Sequence, residues 1–162
     1  MKCSQVTAII FVLMLIPALH VYAQGPDAAS PALSATTVPE AQQVQPADLA
    51  QMLKSDTAVR PLVVQVGSHV MFAQAHIHGS VFAGPGSQTA GLQLLAKAVA
   101  SIPKDKLIVI YCGCCPWNHC PNIGPAYKRL RDLGFTNVKV LYIAHNFGDD
   151  WVAKGYGADK GE

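Results

Sequence analysis

The chain reads as an α/β protein: one domain with a parallel sheet flanked by helices, placed behind an export signal and a tether. Three observations predict this. Short apolar runs alternate with segments of helical period, the pattern of strand–helix–strand units. The strongest run, Leu107-Ile108-Val109-Ile110-Tyr111, is apolar almost throughout, as a strand covered on both faces must be. Residues 24–162 are enough for one domain and too few for two.

The first 23 residues carry the features of a secretory signal. Lys2 supplies a positive start, Ala8 to Leu19 is an uncharged apolar run, and Val21-Tyr22-Ala23 offers small residues for cleavage before Gln24. The run is shorter than the roughly 20 residues a spanning helix needs, so no membrane span is expected after signal removal. The expected location is periplasmic or secreted. Cys3 precedes the apolar run and leaves with the signal. Residues 24–45 are rich in Ala, Pro, Ser, Thr and Gln without apolar period, which predicts a flexible Pro/Ala-rich linker.

The folded domain is expected over 46–162. Ala47–Lys54 places Leu49, Met52 and Leu53 on one helical face. Leu62–Val66 is a strand bounded by Pro61 and Gly67, and Ser80–Gly84 a weaker one ending in Gly84-Pro85-Gly86. Thr89–Ser101 is helical through Leu92, Leu95, Ala96 and Val99. Asn122–Leu133 is helical and stops at Gly134. Val138–Tyr142 is the last strand, followed by a short helix over Asp149–Lys154.

Charge excludes one class of partner. Without Lys2, eleven Lys and Arg face ten Asp and Glu, and no basic cluster interleaves with aromatics, so no nucleic-acid footprint is present.

The chemistry gathers between the strand ending at Tyr111 and the helix beginning near Asn122. There runs Cys112-Gly113-Cys114-Cys115-Pro116-Trp117-Asn118-His119-Cys120, holding every cysteine left after signal removal. Reactive groups in open α/β sheets collect at the carboxyl ends of strands. A helix N-terminus there favours thiolate over thiol, and the thiolate is the nucleophile.

Read in order, five segments resemble rhodanese domains. They are Leu62–Val66, Ala75-His76-Ile77-His78-Gly79-Ser80, Ile108–Cys112, Leu133-Gly134-Phe135-Thr136-Asn137-Val138, and Trp151 with Gly155-Tyr156. They match the family's Asp-Val-Arg strand, Gly-His-Ile-Pro-Gly-Ala turn, Tyr-Cys loop, Leu-Gly-Phe-x-Asn-Val segment and closing Trp and Gly-Tyr. The resemblance implies a rhodanese-like parallel sheet flanked by helices, and sulfur transfer. Cys112 would take sulfane sulfur from thiosulfate or a similar donor, hold it as a persulfide, and pass it to a thiophilic acceptor. The implied partners are a small sulfur-containing anion and a thiol donor or acceptor. Gly113, Cys114 and Cys115 would supply the anion-binding backbone, and Trp117 and His119 would shape the pocket mouth. No cofactor and no metal ligand is assigned on this reading.

The sequence also departs from the family. Gln65 and Gly67 stand in place of the Asp and Arg, and His78 in place of the turn's Pro. The loop is longer than Cys-x4-Arg and contains no Arg or Lys, which also argues against a phosphatase cradle. Two other chemistries stay open. Cys112 and Cys115 form a Cys-x-x-Cys at a strand–helix junction, a candidate redox pair with Cys114 or Cys120 to resolve it. Cys112, Cys114, Cys115, His119 and Cys120 are also soft ligands within reach of one ion, an arrangement that suits copper(I) better than zinc.

Overall fold

A computed structural model describes residues 37–55 and 60–161. The expected signal, its cleavage site and the linker up to residue 36 lie outside the described residues. Among those described, no helix is long and apolar enough to cross a membrane.

Five parallel strands form the main sheet: β1 (Gln43–Val44), β2 (Leu62–Gln65), β4 (Val81–Phe82), β5 (Ile108–Tyr111) and β6 (Val138–Leu141), in the order β1-β6-β5-β2-β4. The most apolar run is thus the central strand, buried at every residue. Alternation along it serves both faces. Ile108, Ile110 and Cys112 enter one core, and Val109 and Tyr111 the other, because successive Cβ atoms point to opposite sides of a strand. The first face is covered by α3 (Thr89–Ala98) and α4 (Ile123–Asp132) through Leu95, Ile123, Ala126 and Leu130. The second is covered by α1 (Pro46–Lys54) and α5 (Phe147–Asp150) through Leu49, Ala50 and Phe147, with Trp151 fully buried. Helices on both faces of a parallel sheet are what the alternating pattern predicts.

Several elements differ from expectation. The linker was expected to extend to residue 45. Instead a 3₁₀ turn at Glu40–Gln42 leads into β1, which pairs with β6 while Val38 and Val44 bury their side chains. A strand of two residues has no period to read; its hydrogen bonds come from a partner almost a hundred positions on. Helix α2 (His69–Gln74) and the small antiparallel pair β3 (His76–Ile77) and β7 (Ala158–Asp159) were likewise not visible.

The last helix is not continuous over Asp149–Lys154. Asn146 caps it early, its Oδ1 accepting the Asp149 N–H at 3.0 Å. The helix then breaks at Trp151, whose Nε1–H donates to Gly157 O at 2.9 Å, and resumes as a 3₁₀ turn at Val152–Lys154. Burying the indole decides the backbone there. Gly134 does end α4 in the left-handed region, with φ of 86°.

Candidate active site

Cys112 follows β5 directly, so the sheet fixes both its position and its face. Its backbone is held further by Gln65, one of the departures from the family pattern. The buried Gln65 side chain accepts the Gly67 N–H at 3.0 Å and donates to Cys112 O at 3.4 Å. Gly67 explains itself alongside it. A Cβ there would lie 2.8 Å from Gln65 Nε2 and 3.2 Å from Cys112 Sγ, so no side chain fits without moving Gln65. The two replacements act as a pair that tethers the end of β2 to Cys112.

The loop then turns back under its own constraint. Gly113 has φ of 75°, and a Cβ on it would sit 2.7 Å from Phe147 Cβ. Its carbonyl accepts the Phe147 N–H at 3.2 Å, and Ala144 O accepts the Trp117 N–H at 3.3 Å. These bonds pin the loop against the segment that joins β6 to α5. The turn brings Cys112, Cys114 and Cys120 together, all three sulfurs within 4.8 Å of one another. Cys112 Sγ–H points at Cys114 Sγ at 3.0 Å, and Cys115 Sγ lies 2.9 Å from Cys114 Sγ. None of the four loop cysteines is in a disulfide. Cys112 and Cys120 are buried and Cys114 and Cys115 partly so.

Asn122 is the residue that sequence reasoning missed. As the first residue of a helix, Asn is ordinarily a cap, and that expectation hides any other role. Here the side chain makes no cap hydrogen bond. Its Oδ1 accepts the Ser87 N–H at 3.1 Å and Ser87 Oγ–H at 2.8 Å, which orients the amide. Nδ2 is thereby aimed at the sulfurs, 3.2 Å from Cys112 and 3.8 Å from Cys114. A fixed amide donor thus faces the sulfurs of a loop that contains neither Arg nor Lys.

Electrostatics within the cluster follow from who donates to whom. Hydrogen bonds from the Cys112 and Cys120 thiols, with smaller help from Cys115 and Asn122, hold the Cys114 thiol well below its ordinary range against partial burial. Cys112 is pushed up by donating to Cys114, by Cys120 and by burial. Burial first, then Cys114, pushes Cys115 up. Cys120 accepts from Cys112, which lowers it, but Cys114 and burial raise it on balance. The cluster's first negative charge therefore resides on Cys114. The helix N-terminus led to the expectation of a lowered Cys112; the hydrogen bonds from Cys112 and Cys120 instead favour the anion on Cys114.

A cavity of about 320 Å³ opens over this cluster, lined among others by Gln65, Met71, Gln74, Tyr111, Asn146 and Phe147, with Cys112, Gly113 and Cys114 contributing to its wall. No Lys, Arg or His lines it. Tyr111 is part of its scaffold. Burial pushes its hydroxyl up to about 12, against hydrogen bonds from Ser80 and the Ile77 N–H. Two expected pocket residues are absent from the lining. Trp117 is buried against Tyr142, ring centroids 5.1 Å apart, and belongs to the core. The His119 side chain is exposed, and its contact with the cluster is its backbone carbonyl, which accepts Cys115 Sγ–H at 3.5 Å. The candidate pair Cys112 and Cys115 is not set sulfur to sulfur, since Cys114 occupies the near position. His76 is stacked on Phe72 and hydrogen-bonded to its carbonyl, a structural role.

A buried cysteine at the carboxyl edge of a five-stranded parallel sheet flanked by helices, with a cavity beside it, defines an α/β domain of one recognisable architecture. The chain belongs to the rhodanese-like domain family, whose family model matches residues 45–142. Solved structures share the fold. The crystal structure of the Alr3790 protein from Anabaena sp. is 19% identical with a TM-score of 0.57, covering 73% of this chain and 92% of that one. The BH2092 protein from Bacillus halodurans is 22% identical with a TM-score of 0.56, covering 73% and 76%. The solution structure of the rhodanese-like domain of Alr3790 gives 19% and 0.54, covering 74% and 79%. At these identities the likeness is one of fold. A comparison with curated proteins finds no match.

Proposed function

We propose that this protein carries and transfers sulfane sulfur as a persulfide on Cys112. The observation that carries the reading is the placement of Cys112 Sγ, held by the sheet and Gln65, facing the fixed Asn122 amide, and donating to Cys114.

The chemistry balances without an outside oxidant. Cys112 attacks the outer sulfur of a donor R–S–SH and its proton passes to the Cys114 thiolate across 3.0 Å. The donor's S–S bond breaks, R–S⁻ leaves and takes the proton from Cys114, and Cys112–S–SH remains. An acceptor thiol then repeats the exchange in reverse. Covalent storage divides one transfer into two, and Asn122 Nδ2 donates to the Cys112 sulfur each time negative charge returns to it.

The donor class follows from the cavity. A dianion such as thiosulfate would meet amide donors and apolar walls with no cation to offset its desolvation. A persulfide on an organic thiol carries less charge and presents an apolar stem to Met71, Phe147 and Val152. Such a thiol-bound donor is the better fit. Export belongs to the same reading, on the strength of Lys2, the apolar run and Ala23.

The test is mass spectrometry of reduced protein after exposure to a simple alkyl persulfide without other charged groups and, separately, to thiosulfate. One added sulfur should map to Cys112, form faster from the organic persulfide, vanish in Cys112→Ser, and discharge to cyanide. An adduct that survives Cys112→Ser moves the nucleophile; no adduct from either donor ends the sulfur-transfer reading. Intact mass of protein secreted by its native host should begin at Gln24.

A further inference from the structure

We infer that Cys112, Cys114 and Cys120 form a three-sulfur site for Cu(I). The inference stands independently of sulfur transfer, because it rests on where the folded loop places the sulfurs.

Sequence proximity offers five soft ligands, and the fold selects three. Cys112, Cys114 and Cys120 converge with their sulfurs mutually within 4.8 Å, and no carboxylate or imidazole joins the group among the described residues. With metal–sulfur bonds of about 2.3 Å, three sulfurs around one ion stand roughly 4 Å apart. The observed range, from 3.0 Å between Cys112 and Cys114 up to the 4.8 Å limit, brackets that spacing, so small side-chain rotations complete the site. Cys120 is the informative member. It lies eight residues from Cys112 and reaches it because the 3₁₀ turn at Trp117–His119 folds the loop back on itself.

The donor set also selects the ion. An all-thiolate site favours a soft ion, with Cu(I) and zinc the main candidates. Structural zinc requires a fourth ligand in tetrahedral array. Cys115 is the nearest candidate, but it stands outside the group whose sulfurs all lie within 4.8 Å of one another; its sulfur is 2.9 Å from Cys114 and interacts less with Cys120, and its S–H is directed to the His119 carbonyl. Cu(I) is complete with three sulfurs. The surrounding donors suit thiolates carrying excess negative charge: Asn122 Nδ2 reaches Cys112 and Cys114, and the Asn122 backbone N–H reaches Cys120. Such outer-shell donors orient ligands and tune the metal. A bound ion would occupy the sulfur that otherwise forms the persulfide, so the two uses of the loop exclude each other.

The test is anaerobic titration of the fully reduced protein with Cu(I) supplied as its bicinchoninate complex. One Cu(I) per chain should be withdrawn from the chelator, and X-ray absorption should show three sulfur neighbours. One equivalent should protect Cys112 from alkylation while leaving Cys115 reactive. Cys115→Ser should bind as wild type. Asn122→Ala should weaken retention by about 10–100-fold, the usual consequence of losing an outer-shell partner, and Cys120→Ser should weaken it further. Because Cys120 is buried, Cys114→Ser at a partly exposed position serves as the second ligand variant, each checked for native circular dichroism. Uptake unaffected by either ligand variant would overturn the inference. So would no uptake, or a preference for Zn(II) bound through four sulfurs including Cys115.

Discussion

Removing the Asn122 amide should raise the pKa at which the thiol cluster first ionises. In the folded protein Nδ2 stands 3.2 Å from Cys112 Sγ and 3.8 Å from Cys114 Sγ, oriented by the two Ser87 donors on Oδ1. A hydrogen bond to a charged group contributes about 1.5–3 kcal/mol net, and one pKa unit corresponds to about 1.4 kcal/mol. The longer reach to Cys114, which carries the charge, places the effect at the lower end, so Asn122→Ala should raise the first thiol pKa by about one unit. Ser87→Ala should shift it in the same direction by less, since the amide remains but is free to turn. Asn122→Asp should shift it furthest, because a carboxylate would face the thiolate. The assay is thiolate ultraviolet absorbance against pH on reduced protein, paralleled by the pH dependence of iodoacetamide alkylation. A first pKa that is unchanged or lower in Asn122→Ala would refute the argument that this amide stabilises the anionic sulfur.

Three further outcomes are expected. Gly113→Ala should destabilise the fold by about 1–3 kcal/mol, the usual strain of a non-glycine residue at such a φ, and more if the Cβ displaces Phe147; denaturant unfolding measures it, and a neutral result would contradict the loop geometry. Stability of the reduced protein should fall as pH rises above the ordinary thiol range. Cys112, Cys115 and Cys120 have folded pKa values raised above those of the unfolded chain, as does Tyr111 at about 12, so the unfolded state releases protons first. Their contribution is fully present below the unfolded values and is lost above them, while Cys114, held below its unfolded value, acts in the opposite sense up to that range; chemical denaturation midpoints should therefore decline once the pH passes the ordinary thiol range, and a continued rise there would reverse the assignment. Mild oxidation should join Cys112 to Cys114 before Cys115, because only the former pair begins in sulfur contact; peptide mapping that finds Cys112–Cys115 first would show that the loop rearranges.

Much of the architecture was legible in the residues because it rests on local, repeated signals. Leu107–Tyr111 had to be a two-sided strand, and the period-2 rule then assigns Cys112 to the same core as Ile108 and Ile110. The family motifs, their order and the position of Cys112 after β5 were equally readable. So was the end of α4 at Gly134, where a left-handed turn has one common solution. Elements whose stability comes from distant partners were not. The strand at Gln43–Val44 exists through β6, the pair β3 and β7 through each other across some eighty residues, and the break at Trp151 through burial of its indole.

The same division runs through the site. Sequence alone determined that four thiols crowd one strand–helix loop without a cation. It could not determine their arrangement, because a nine-residue loop with one left-handed glycine and one 3₁₀ turn has many closures. Tertiary structure chose one, fastening Gly113 to Phe147 and Trp117 to Ala144. That closure brings Cys120 back to Cys112, leaves Cys115 at the rim, and moves the charge to Cys114. Asn122 shows the limit most plainly. Its residue type predicts a helix cap, but Ser87, thirty-five positions earlier, orients it toward sulfur instead. Hydrogen bonds between residues so far apart in sequence follow from how the helices pack on the sheet, and no local pattern encodes them.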